Sequence, residues 1–195
     1  MRIVGGEWRG RRIVAPKGDA TRPTTDRTRE TLFNILAHRL DIDGITALDV
    51  FAGSGALGLE ALSRGAARAV FIDRSADAAA AISANIETLR ALERTTVLRR
   101  DATRPGPPHG MADLVLADPP YGKGLGERAL AALAKSGWLA PGATVVVEEN
   151  ALVAARIALP RGAFGAFRLD DTRRLGETAL LFATFLPGDA DEAAW

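Results

Sequence analysis

The sequence predicts an α/β fold: a doubly wound, mostly parallel sheet with helices on both faces, preceded by a small N-terminal β-hairpin. Three observations predict it. Across residues 25–187, short apolar runs of strand length alternate with stretches of helical spacing. One such run, residues 45–50, leads straight into Gly53-Ser54-Gly55-Ala56-Leu57-Gly58 and then a helix. In that strand–loop–helix context a Gly-x-Gly-x-x-Gly pattern has a backbone meaning. A second run, residues 112–117, stops at Asp118-Pro119-Pro120-Tyr121. Two residues without an N–H cannot continue a sheet, so the chain turns out there with a carboxylate and an aromatic ring at the strand's C-terminal end. In open α/β sheets that end binds ligands.

The elements follow in order. Residues 1–24 form one region. In it Ile3-Val4 and Ile13-Val14 flank a Gly/Arg-rich middle, a hairpin pattern with Gly5, Gly6 and Gly10 for turn conformations. Arg2, Arg9, Arg11 and Arg12 decorate it with Trp8 among them, a mixture that pairs with phosphates and stacks on bases. Residues 1–40 hold nine basic and four acidic residues, net +5, against sixteen and twenty, net −4, in the remainder. A basic segment on a mildly acidic body suits a polyanion. A helix is expected over 26–39, with Thr25 or Thr28 as N-cap and Leu32, Ile35, Leu36 and Leu40 at core spacing. Arg22, Arg27 and Arg29 lie near its start, where cations oppose the helix dipole. That placement fits an anionic partner or ordinary surface arginines.

After the glycine loop a helix is expected to about residue 64, then a strand at 69–72 ending in Asp73. Gly53 and Gly55 allow a sharp turn and close approach of a ligand, and Gly58 allows close helix–strand packing. Asp73 stands 20 residues beyond Gly53, where an acid grips ribose hydroxyls. Ser75 is available to cap the next helix, leaving Asp73 free. That helix places Ile82, Ile86 and Leu89 on one face, and a strand over 95–98 follows. Asp101 then falls at the next strand end, in reach of an adenine amino group. A Pro/Gly loop, 104–110, precedes the strand that ends at Asp118. Gly122, Gly124 and Gly126 make the following stretch able to close over a substrate, with Lys123 placed to meet phosphate or simply exposed. A helix over 127–135, a turn over 137–142 and a strand over 143–147 come next, with Glu148-Glu149-Asn150 ending the strand. Apolar runs at 164–169 and 178–186 form an antiparallel pair turning at 173–177, and residues 188–195 read as a frayed tail.

Composition removes several chemistries. With no cysteine there is no disulfide, thiolate metal site or cysteine nucleophile. Two histidines, His38 and His109, are too few for a histidine metal centre, so no metal is expected. There is no bilayer-length apolar run and no signal-peptide core, and a soluble cytoplasmic protein is expected.

A glycine loop, a ribose acid and a third acid at strand ends suit an adenosine-bearing cofactor, NAD or S-adenosylmethionine. Two features favour the second. No His or Lys stands at a suitable strand end for the acid/base work of a nicotinamide enzyme. The Asp-Pro-Pro-Tyr turn suits an exocyclic amine, a poor nucleophile whose lone pair is delocalised into its ring. Asp118 and the Pro119 carbonyl each accept one N–H, aiming the nitrogen at the sulfonium methyl, while Tyr121 stacks on the base. A base in folded RNA must be splayed out to enter such a pocket.

The sequence resembles the bacterial small-subunit (16S) ribosomal RNA guanine-N2 methyltransferases, within the class I S-adenosylmethionine-dependent enzymes. The resemblance is carried by residues 2–11, 22–27, 29–33, 51–62 and 118–121 and spans nearly the whole chain. It implies a seven-stranded, Rossmann-like sheet with an antiparallel last strand, and an N-terminal hairpin that helps bind RNA. It implies methylation of one guanine amino group in 16S rRNA within an assembling small subunit; a monomer is expected. Gly53, Ser54 and Gly55 would border the methionine part of the cofactor, Asp73 the ribose and Asp101 the adenine. Asp49, Phe51, Arg74 and Ala102 complete the expected cofactor set. Asp118, Pro119 and Tyr121 would hold the base, and Arg2, Trp8, Arg9, Arg11, Arg12, Arg22, Arg27 and Lys123 the RNA. Two alternatives use the same residues: a DNA adenine-N6 methyltransferase, for which 195 residues leave little room for a sequence-reading domain, and a non-catalytic RNA-binding assembly factor.

Overall fold

The computed structural model describes residues 1–17, 25–155, 159, 161–162 and 165–188. They fall into two compact units, Met1–Arg100 and Asp101–Trp195.

The first unit holds α1 (Asp26–Leu36), β1 (Thr46–Val50), α2 (Ala56–Ser63), β2 (Arg68–Asp73), α3 (Ala76–Leu89) and β3 (Thr95–Arg99). Its strands lie in the order β3-β2-β1, with both pairs parallel. Val50 pairs with Ile72 and Asp73 with Arg99, so the ends of all three strands are level. Ala47 to Val50 and Ala69 to Ile72 are buried without a break. Such continuous burial belongs to parallel strands covered on both faces. Thr25 caps α1, its side chain accepting from the Thr28 N–H, and Ser75 caps α3 through the Ala78 N–H. The first helix ends at Leu36, three residues early, because His38, Arg39 and Leu40 tighten onto the Ile35 and Leu36 carbonyls.

Residues 1–17 belong to this unit and fold back on themselves in a minimal version of the expected hairpin. The antiparallel bridge of Arg2 with Arg12 joins their two limbs, with Ile3 N–H donating to the Arg11 carbonyl (2.9 Å), Ile13 N–H to the Met1 carbonyl (3.2 Å) and Gly10 N–H to the Ile3 carbonyl (2.8 Å). Other backbone donors of the segment are taken by the body. Val4 N–H donates to Glu60 Oε2 (2.9 Å), Trp8 N–H to Ser63 Oγ (2.9 Å) and Glu7 N–H to the Ser63 carbonyl (2.7 Å). Ile3, Trp8 and Ile13 are buried as a result. This docking also explains α2, every residue of which is buried, including Glu60 and Ser63.

The second unit holds β4 (Ala112–Ala117), α4 (Leu125–Lys135), β5 (Leu139–Asn150), α5 (Ala151–Ala154), β6 (Arg161–Gly162), β7 (Gly165–Leu175) and β8 (Thr178–Leu186). The order is β4-β5-β8-β7-β6. β4 and β5 are parallel, and β8 lies between β5 and β7, antiparallel to both. The expected seven strands are present, and the two-residue β6 is an addition. β5 runs further than expected at both ends. Glu148, Glu149 and Asn150 stay in the sheet because they pair with Leu180, Ala179 and Thr178 of β8. Pairing of Leu175 with Thr178 confines the β7–β8 turn to Gly176-Glu177. The frayed-tail expectation falls on residues 189–195, outside the described ones, apart from exposed Gly188. Among the described residues no helix is long and apolar enough to cross a membrane.

Candidate active site

In the first unit the ends of β1 and β2 build the glycine loop. Asp49, buried on β1, has an Oδ2 that accepts the Gly58 N–H at 2.8 Å. A carboxylate on a first-turn N–H of α2 satisfies one of the four donors that every helix start leaves open, and it matches the helix dipole. Gly58 is required by its neighbours. A Cβ there would lie 2.5 Å from the Phe71 ring and 3.1 Å from the Asp49 Cβ. Gly53 and Gly55 have φ of +54° and +75°, and the intervening turn is closed by Gly55 N–H on the Ala52 carbonyl (2.7 Å). Phe51 also has a positive φ, +59°, a strained conformation for an aromatic residue.

Asp73 ties the loop together. Its Oδ2 accepts the Gly53 N–H and its Oδ1 the Ser75 N–H, both at 2.9 Å. Ser75 caps α3 as expected, yet Asp73 is not left free by it. The carboxylate keeps further lone pairs for a ligand hydroxyl, since two oxygens offer about four acceptor sites. Ser54 is buried, and its hydroxyl donates to the Met1 thioether at 3.3 Å. Arg74 is exposed. The structure thus brings Asp49, Phe51, Gly53, Ser54, Gly55, Asp73 and Arg74 to two adjacent strand ends.

In the second unit, Asp101 is exposed two residues past the end of β3, and its Oδ1 accepts both the N–H (2.9 Å) and the hydroxyl (2.8 Å) of Thr103. Ala102 beside it is buried. Asp118 and Pro119 close β4, Pro119 buried and Asp118 half-buried. The Tyr121 hydroxyl donates to Glu148 Oε1 at 2.9 Å, and the Gly122 N–H is shared by both oxygens of Glu149 at 3.2 Å. Glu149 Oε1 also accepts the Asn150 N–H (2.7 Å). Burial above all, then the Glu148 and Asp118 carboxylates, pushes the Tyr121 hydroxyl pKa well above its usual value, with a Thr178 hydrogen bond acting the other way. The phenol therefore stays protonated. Lys123 is exposed on the following turn.

The basic segment is corrected in part. Trp8 is buried with the Arg94 guanidinium 5.4 Å from its ring centroid, so its face is already covered and is not offered to a base. Arg11 donates to the Thr88 carbonyl, and Arg2 sits 3.4 Å from Asp26. Arg9, Arg12 and Arg27 are exposed. Arg29 is wholly buried against Asp26 and Glu60, which answers the question of its unfavourable place at the helix start. Arg22 lies outside the described residues.

The family described as Conserved hypothetical protein 95 matches residues 1–183. The chain belongs to that family. Among its relatives, the Ribosomal RNA small subunit methyltransferase D of Escherichia coli K12 is 44% identical over 154 residues, covering 77% of this chain and 75% of that one. The solved structure of the Escherichia coli protein yhhF superposes with a TM-score of 0.81 at 35% identity, covering 95% of this chain and 98% of the other. The ribosomal protein L11 methylase of Lactobacillus delbrueckii subsp. bulgaricus, 21% identical, shares the fold with a TM-score of 0.64 over 82% and 79%. The fold of this family member is that of the class I methyltransferases, and the chain is a methyltransferase by kinship.

Four residues of this family member escape a reading of its sequence. Glu148 and Glu149 look like a polar strand end, and their burial comes only from β8. Glu60 is the sole charge in α2, a visible anomaly in an apolar helix. Asn85 interrupts a stretch rich in alanine and isoleucine, where an amide is a weak helix former.

Proposed function

We propose that this protein transfers the methyl group of S-adenosylmethionine to the exocyclic N2 amino group of one guanine in small-subunit (16S) ribosomal RNA, in the cytoplasm. The observation that carries the reading is the anchored Asp118-Pro119-Pro120-Tyr121 turn, its phenol held by Glu148 and its following amide by Glu149. The names of the relatives support an RNA substrate.

The glycine loop fits the cofactor. A Cβ on Gly53 would meet nothing nearer than the Phe51 carbonyl at 3.9 Å, so the loop's face is open. Asp73 retains acceptor capacity for ribose hydroxyls, and Asp49 holds the loop from below without reaching for the ligand. When bound, S-adenosylmethionine supplies an activated sulfonium methyl. Asp101 is assigned the adenine edge, and Phe51, Ser54, Gly55, Arg74 and Ala102 the remaining contacts.

Asp118 and the Pro119 carbonyl each accept one N–H of the amine, which fixes the nitrogen and orients its lone pair. Tyr121 stacks on the base with its ring already immobilised. Rate arises from positioning and from acceptors aimed at the charge that develops on nitrogen, with no covalent intermediate on the protein. Arg9, Arg12, Arg27, Arg2, Arg11, Arg22 and Lys123 are assigned to phosphates.

The test is a labelled methyl-transfer assay offering unmodified 16S rRNA, reconstituted small subunits and duplex DNA, followed by nucleoside analysis. N2-methylguanosine from RNA or subunits is expected. Label in DNA adenine, or cofactor binding without transfer to any substrate, overturns the reading.

A further inference from the structure

Asn85 is buried in the middle of α3, and the hydrogen bonds of its side-chain amide are directed away from its own helix. Oδ1 accepts the Val14 N–H at 2.8 Å, and Nδ2 donates to the Val14 carbonyl and to the Ser54 carbonyl, both at 2.9 Å. The orientation of the amide is fixed by its partners, because a flipped group would set N–H against N–H. One side chain thus pairs with residue 14 as a neighbouring strand would and, with its remaining hydrogen, holds the glycine loop. A second link joins the same two segments: the Ser54 hydroxyl on the Met1 thioether. An unpaired buried amide is costly, so these bonds hold or fail together.

We propose that Asn85 is a positioning residue that couples occupancy of the glycine loop to the docking of residues 1–17, so that cofactor and RNA bind cooperatively. This rests on the reading above that the loop takes S-adenosylmethionine and the N-terminal segment takes RNA. A ligand that fixes Ser54 fixes the Asn85 amide, which fixes Val14 and the arginines upstream of it. By linkage, RNA held on those arginines stabilises the loop by the same factor.

Hydrogen exchange of the full chain, with and without S-adenosylhomocysteine, reads this directly without turnover. In the wild type, ligand should slow exchange at residues 53–58 and also at residues 1–17, the latter by about fivefold or more, the lower end of ordinary coupling. In Asn85→Leu, protection at 53–58 should persist and protection at 1–17 should vanish. Val14→Pro, at an exposed residue, removes the donor that Asn85 Oδ1 accepts and should show the same loss. Ligand protection confined to 53–58 in the wild type, or protection of 1–17 that survives Val14→Pro, overturns the coupling. Absence of protection at 53–58 in the wild type overturns the assignment of the loop, and the coupling with it.

Discussion

The Tyr121 phenol donates to the carboxylate of Glu148, which is itself 6% exposed and lies on the strand beside it. The ring that is assigned to stack on the base is therefore held at its far end by a residue that has no part in the reaction. Replacing Glu148 by Ala should raise KM for RNA and lower kcat/KM by about 10-fold or more, the weight of a hydrogen bond to a charged group. Glu148→Gln, which still offers an acceptor, should recover much of it. Steady-state kinetics on the two variants check this, and equal losses in both would count against a positioning role.

Tyr121 is the only tyrosine in the chain, so its ionisation can be followed alone by its ultraviolet absorbance. Burial raises its pKa above the usual 10.0. A raised folded-state pKa means stability that is complete below the unfolded value and lost as pH rises through the folded value. Native protein should show no phenolate at a pH of about 10, and denatured protein should titrate near that value. A native midpoint equal to the denatured one would refute the burial argument.

Asp118→Ala should lower methyl transfer by about 100- to 1,000-fold, the usual loss when one group aimed at developing charge is removed. Cofactor affinity, read by calorimetry, should stay nearly intact, since Asp118 is assigned to the base and not to the cofactor. Equal loss of both would remove Asp118 from the reaction.

Glu60 accepts from Val4 and Arg64 and lies 3.8 Å from the buried Arg29. Glu60→Ala leaves Arg29 with less compensation and should cost about 3–5 kcal/mol, measured by urea unfolding. A loss under about 1 kcal/mol, the scale of an exposed pair, would show that the network carries no weight.

Arg9→Gln with Arg12→Gln should weaken RNA binding and reduce its salt slope by roughly 0.7–0.9 for each phosphate no longer neutralised. These point changes are cleaner than removing residues 1–16, since Ile3, Trp8 and Ile13 belong to the core. An unchanged slope would sink the phosphate assignment.

The sequence made the two candidate turns legible because each is written in residues with unusual backbones: Gly53, Gly55 and Gly58 in one, Pro119 and Pro120 in the other. Helix caps at Thr25 and Ser75 were legible for the same local reason. What stayed hidden depends on neighbours distant in the chain. Trp8 looks like a base-stacking residue until Arg94 is seen over its ring. Asp73 looks available until the Gly53 and Ser75 amides are found on it. Glu148 and Glu149 are buried by β8, about thirty residues downstream, which no local pattern announces.

Residues 1–17 are made before the partners that hold them. Val4 waits for Glu60, 56 residues on; Trp8 for Ser63, 55 residues on; and Val14 for Asn85, 71 residues on. Contacts of such sequence separation close slowly, because the intervening chain must surrender its freedom before they form. During synthesis the arginine-bearing segment therefore lacks its full set of partners until Asn85 has been made. For that interval the nascent chain presents Ile3, Trp8 and Ile13 undocked, which makes this short stretch the point where early folding and aggregation compete.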